Sequence, residues 1–158
     1  MTRRAPLLVF GIGNPSRGDD ALGPLFVERA GLALATEVER GEIEFITDFQ
    51  LQIEHTMDLE GRERVVFVDA SVRAAAPFEF TPLAPYRDAT HSTHAMSPAA
   101  LLETFREVLG APPPAWVLAI RAESFELGEP LSAEASAHLD EALAYFVVGG
   151  RTTATPSA

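Results

Sequence analysis

Apolar residues fall along this chain in two kinds of pattern. Leu7-Leu8-Val9-Phe10, Val65-Val66-Phe67-Val68 and Trp116-Val117-Leu118-Ala119-Ile120 are short unbroken runs, as expected of strands buried on both faces. Ile43-Glu44-Phe45-Ile46 reads as a further strand. Phe78-Glu79-Phe80 alternates like a short edge strand, ahead of an irregular segment that Pro82 and Pro85 impose through His91 and His94. Between the runs the spacing turns helical. Leu22, Leu25, Phe26, Arg29 and Ala30 predict a helix that starts near Asp20 or Gly23 and stops at Gly31 or shortly after it. Leu51 to Leu59 predicts a short helical turn before Gly61. Ser97 as N-cap and Pro98 in the first helical position open another helix, with Leu101, Leu102, Phe105, Val108 and Leu109 on its apolar face. Ala111-Pro112-Pro113-Pro114 is a stiff connector, and a last helix runs from Ser132 to Val148 and stops at Gly149-Gly150.

Strands alternating with helices in this order predict an α/β fold: a three-layer α/β/α sandwich around a largely parallel, twisted sheet of about five strands. A single domain is expected over residues 1–150, with residues 151–158 as a disordered tail. No internal repeat interrupts the pattern.

Composition then narrows the chemistry. A chain of 158 residues, 47% hydrophobic and 22% charged, is long enough for one real core and is not of the disordered class. No apolar run approaches the roughly 20 residues that span a bilayer, and Met1 to Ala5 is not followed by a cleavable apolar leader, so the expected location is the cytoplasm. A net charge of −11 repels nucleic-acid phosphates and anionic membranes, and favours a cationic or metal-bearing partner as well as plain solubility. All 12 basic residues are arginine, and there is no cysteine. Thiolate nucleophiles, disulfides, cysteine-ligated zinc, Schiff bases and the P-loop lysine are therefore excluded. Catalysis is left to carboxylates, the four histidines, hydroxyls, arginine, or a metal held by oxygen and imidazole.

In an open α/β sheet the site lies beyond the carboxyl ends of the strands. Gly11-Ile12-Gly13-Asn14-Pro15-Ser16-Arg17-Gly18-Asp19-Asp20 follows the first strand, Asp48 the second, Asp69-Ala70-Ser71 the third, and His91-Ser92-Thr93-His94 precedes the helix at Ser97. The first loop and Asp48 suggest a dinucleotide fingerprint, but its third glycine is replaced by Ser16. Asp19 and Asp20 also stand where a pyrophosphate would sit. Two like charges about 4 Å apart repel by roughly 4 kcal/mol at an effective dielectric near 20, which spoils an anion site. One of the two aspartates is expected to cap the following helix, leaving the other to face the crevice. That carboxylate, Asp69 and His94 can converge, and oxygen and imidazole donors suit a divalent ion such as nickel or zinc with coordination positions left open.

Gly11 through Gly23, Val65-Val66-Phe67-Val68-Asp69-Ala70, His94-Ala95-Met96-Ser97-Pro98 and Ile120-Arg121-Ala122-Glu123-Ser124 together resemble the NiFe-hydrogenase maturation endopeptidases over nearly the whole chain. The resemblance implies a peptidase that removes a C-terminal extension from the hydrogenase large-subunit precursor once nickel has been inserted. It implies that Asp20, Asp69 and His94 are the metal-contacting and catalytic residues. Relatives often carry glutamate at the position of Asp20 and glycine at that of Ala21. Nickel would arrive in the substrate, so no permanently bound metal is expected, and the protein is expected to be a monomer.

Attack by water is favoured, because the chain lacks both cysteine and a GxSxG serine motif. Either the metal polarises the carbonyl or a carboxylate acts as general base. Asp19 is assigned to capping or to support of the site, and Arg17 to a solvated loop. His91 is the rival of His94, while His55 and His138 fall on predicted helices and are read as surface residues. Two other readings use the same residues: a self-sufficient zinc metallohydrolase, and a non-catalytic hydrogenase assembly chaperone.

Overall fold

The computed structural model describes residues 3–87 and 96–152. Five strands form one sheet: β1 (Leu7–Ile12), β2 (Ile43–Asp48), β3 (Arg64–Ser71), β4 (Phe78–Leu83) and β5 (Ala115–Arg121). Their order is β2-β1-β3-β5-β4, parallel except for β4, which runs antiparallel to β5 at the edge. The helices are α1 (Leu22–Ala33), α2 (Ala35–Glu39), α3 (Thr56–Leu59), α4 (Pro98–Leu109) and α5 (Ala133–Val148).

The unbroken apolar runs account for the layers. In β1 and β3 alternate residues point to opposite faces, so each run feeds two cores. Val9, Val66 and Val68 pack with Phe26 of α1 and Leu139 and Phe146 of α5 on one face. There Phe26 and Phe146 meet edge to face with their ring centres 5.3 Å apart. Leu8, Phe10, Val65 and Phe67 pack with Leu59 of α3 and Leu101, Leu102 and Phe105 of α4 on the other. The expected three-layer sandwich is thus the observed one. Ser97 caps α4, its hydroxyl accepting the Ala100 N–H at 3.1 Å, and Ser132 caps α5 in the same way through Ala135 at 3.2 Å.

The first helix ends at Ala33, shortly after Gly31 as expected, with Leu34 beyond it buried in the core. Other boundaries differ from the pattern, each for a physical reason. The short helix α2 buries none of its residues and so leaves no apolar period to read. Pro82 lies within β4 beside Trp116 rather than ending it; an edge strand bonded to one neighbour tolerates a residue without an N–H. Arg151 and Thr152 belong to a 3-10 turn over Gly150–Thr152 and not to a frayed tail; Arg151 reaches Glu37 at 3.5 Å. Residues 153–158 lie outside the described residues. No helix among the described residues is long and apolar enough to cross a membrane.

The register places the notch that matters. Pairing of β1 with β3 ends at Gly11 beside Val68, whereas β5 stays paired with β3 as far as Ser71. Asp69 therefore lies inside β3, opposite Ala119, with no ladder partner on its β1 side. That gap between β1 and β3 is the point where the strand order reverses, where open α/β sheets form their crevices.

Candidate functional site

The loop from β1 to α1 is folded back on its own strand by glycines. A Cβ on Gly13, whose φ is +147°, would lie 2.0 Å from the Asp20 carbonyl oxygen and 3.3 Å from its Oδ1. A Cβ on Gly23 would meet the Ile12 carbonyl oxygen at 2.3 Å, and one on Gly11 the Gly23 oxygen at 2.6 Å. The glycine spacing that suggested a phosphate cradle instead lets the start of α1 press against the end of β1. A 3-10 turn over Gly18–Ala21 carries both aspartates into this contact.

The two neighbours then part company. Asp19 is 1% exposed, and its carboxylate accepts four hydrogen bonds: from the N–H of Glu123 (2.7 Å), Ser124 (3.3 Å) and Ser132 (2.7 Å), and from the Ser132 hydroxyl (2.8 Å). Burial pushes its acidity the other way, but these bonds together outweigh it and hold the carboxyl below its ordinary range. The expectation that one aspartate caps α1 is corrected here. Neither side chain bonds the start of that helix; Asp19 instead braces Ser132, the cap of α5.

Asp20 is half-buried and accepts one bond, from the Asn14 N–H at 2.8 Å. Asp69 is half-buried in the notch and accepts the Ala70 N–H at 2.9 Å. Burial pushes the Asp69 carboxyl up to about 7; the Ala70 N–H opposes that, and the charge of Asp20 adds to it. Asp20 thus lies close enough for its field to act on Asp69. The structure brings within electrostatic reach of each other two of the three residues expected to meet a metal, with the Asp69 carboxyl pushed up by its own burial and by the charge of Asp20.

His94 and its rival His91 lie outside the described residues. The chain resumes at Met96, whose N–H donates to the Leu51 carbonyl at 3.2 Å, just past the carboxyl end of β2. Among the described residues no group of three histidines or carboxylates is arranged to hold a metal ion. Arg17 is exposed and, among the described residues, forms no ion pair with either aspartate, as a solvated loop arginine should.

The other two histidines are not the free surface groups expected of them. The His138 Nδ1 lies 3.0 Å from the Arg121 carbonyl, beside the end of β5. His55 is held against Phe10, with its Nε2 3.2 Å from Asp48. The period of a short helix says where its residues fall, but not that one is folded inward onto a strand end.

No family model matches the chain, and no curated protein matches it. Solved structures do. A NiFe hydrogenase maturation protease, HycI from Thermococcus kodakarensis, superimposes with a TM-score of 0.70 at 22% identity, covering 92% of each chain. The hydrogenase maturating endopeptidase HybD from E. coli gives 0.68 at 21%, over 96% of this chain and 94% of the other. A hydrogenase 2 maturation peptidase from a Thaumarchaeota archaeon gives 0.60 at 21%, over 94% and 99%. At such identities the likeness establishes the fold, along nearly the full length of each protein.

Proposed function

We propose that this protein is an endopeptidase that removes the C-terminal extension of a NiFe-hydrogenase large-subunit precursor after nickel insertion, recognising the nickel through Asp20, Asp69 and His94. The observation that carries the reading is the carboxylate pair at the β1–β3 notch, with Asp69 pushed up to about 7 by burial and by Asp20. The shared fold with three hydrogenase maturation peptidases supports it from a second direction.

The chemistry follows from that pair. Without a cation, one of two neighbouring half-buried carboxylates is favoured in its protonated form. A divalent ion presented by the substrate displaces that proton and relieves both desolvation and repulsion. Oxygen and imidazole donors, with no thiolate among them, contact the ion without retaining it. Hydrolysis requires water oxygen to attack the scissile carbonyl, the C–N bond to break and a proton to reach the departing amine. A carboxylate freed of its proton in this way is the group available to take a proton from the attacking water, as general base, and to pass it to the departing amine. The reaction is placed in the cytoplasm, with the enzyme acting as a monomer.

Mass spectrometry of a nickel-loaded precursor before and after incubation tests the activity. The expected result is loss of one C-terminal fragment. A stable complex with an uncut precursor would identify an assembly chaperone instead.

A further inference from the structure

The sheet ends in β4 on one side and β2 on the other, and the two edges are built differently. On β4 the Pro77 carbonyl accepts the Arg121 N–H at 3.1 Å, so by alternation Glu79, Thr81 and Leu83 bond β5, while Phe78, Phe80 and Pro82 turn their backbone groups outward. Pro82 has no N–H to offer there, and a proline so placed guards an edge against further pairing.

On β2 the Leu7 N–H donates to the Glu42 carbonyl at 3.4 Å and the Gly13 N–H to that of Asp48 at 3.1 Å, so the even-numbered residues bond β1. Phe45 and Thr47 therefore direct N–H and C=O away from the sheet, where these groups meet no partner among the described residues. The strand has no proline, no lysine and no break in register. A groove of about 520 Å³ runs beside its first half, lined by Arg3, Arg4, Gly31, Val38, Glu44 and Phe45.

The two faces beside this edge differ in chemistry. Ile43 and Phe45 pack on the α1 and α5 side of the sheet and Ile46 on the other, so Glu44 and Asp48 share the second face. Their side chains stay 48% and 44% exposed, even with Arg62 on the first and His55 beside the second. A second copy of the chain is a poor occupant. Pairing across a twofold axis with Phe45 opposite Ile43, Phe45 or Thr47 sets Glu44 on Glu44, Glu42 on Asp48, or Glu44 on Asp48, and like charges directly opposite are destabilising. A partner with basic residues at alternate positions meets the same face favourably.

We propose that the free edge of β2 takes up, as an added strand, an extended segment of the polypeptide substrate whose alternate basic residues face Glu44 and Asp48. The proposal rests on the peptidase reading. With strands about 4.8 Å apart, the added strand lies roughly 12 Å from the β1–β3 notch, so the segment stands about four extended residues or more from the scissile bond.

Two measurements separate the fates of the two ideas. Amide hydrogen exchange of the free protein reads the edge without any cleavage. The Phe45 and Thr47 amides are expected to exchange at least about tenfold faster than those of Glu44 and Ile46, at every protein concentration. Equal protection overturns the open edge, and protection that grows with concentration gives the edge to a second copy instead.

Steady-state processing of nickel-loaded precursor is the second measurement. Thr47→Pro removes one outward N–H and leaves the ladder to β1 intact; it is expected to raise KM about tenfold, the scale of a lost hydrogen bond, with kcat within about twofold of wild type and native circular dichroism. Thr47→Ala, which keeps the N–H, is expected to match wild type. Asp48→Asn, the same shape without the charge, is expected to raise KM about threefold and guards against a folding defect in the proline variant. An unmoved KM in a folded Thr47→Pro, or in Asp48→Asn, overturns the proposal and leaves the peptidase reading standing. A wild-type protein that cuts no precursor overturns both.

Discussion

Asp19 and Asp20 are neighbours in sequence, yet they belong to opposite kinds of region. The first is buried, saturated with four hydrogen bonds, and ties the β1 loop to the chain between β5 and α5. The second has one backbone partner, and its charge adds to the burial that holds the Asp69 carboxyl above its ordinary range. The difference shows how the fold is divided. A region that holds the molecule together satisfies its charges; under the proposed function, the other region leaves its charges unsatisfied until the substrate's cation arrives.

That contrast is open to attack at both ends. Asp20→Asn, Asp69→Asn and His94→Ala are each expected to lower processing of the loaded precursor a hundredfold or more, the scale of lost proton transfer and metal contact. Their circular dichroism is expected to stay native. Full activity in all three would remove the site assignment.

The stability effects are expected to run the other way at the two aspartates. The folded Asp69 carboxyl stands at about 7 against an ordinary 3.8, so ionising it opposes folding. The cost is absent below about pH 4, grows as pH rises, and is complete above about 7. In the metal-free protein at pH 8, denaturant unfolding should find Asp69→Asn more stable than wild type by up to about 4 kcal/mol. The two proteins should converge in acid.

Asp19→Ala strands four donors and is expected to cost about 3 kcal/mol or more, a fall of about 6–12 °C in Tm by calorimetry. Because the Asp19 carboxyl is held below its ordinary value, its contribution is present at neutral pH and is lost as pH falls through the folded value. The gap between Asp19→Ala and wild type should therefore narrow in strong acid.

Gly13→Ala sharpens the comparison, since it acts where the two regions join. Its added methyl collides with the Asp20 backbone from a left-handed φ, so about 2 kcal/mol of stability and a large part of the activity should go together. The smallest effect expected is in metal content. Freshly purified protein should carry well under one equivalent of metal by elemental analysis; a full equivalent of zinc would favour a self-sufficient metallohydrolase.

The sandwich was legible because its signals are local. Four consecutive apolar residues at Val65–Val68 announce a strand covered on both sides, and Ser97-Pro98 announces a helix start. Asp20 and Asp69 were singled out as acids that follow apolar runs, and the structure sets them within electrostatic reach of each other, although Asp69 lies inside β3 rather than after its end. What stayed hidden is held by contacts distant in sequence. Asp19 finds its partners 104 and 113 residues away, so its acidity and position at a helix start pointed to the nearest helix rather than to α5. His55 escaped for a similar reason: a histidine on a one-turn helix carries no period to reveal its inward face, and its bond to Asp48 depends on how Gln52 turns the chain.

The central claim is that this site reads the nickel of its substrate. Incubating wild-type protein with nickel-loaded and nickel-free large-subunit precursor, side by side, and measuring the C-terminal fragment released from each tests it most directly. The account predicts release from the loaded precursor alone. Equal release from both would contradict it.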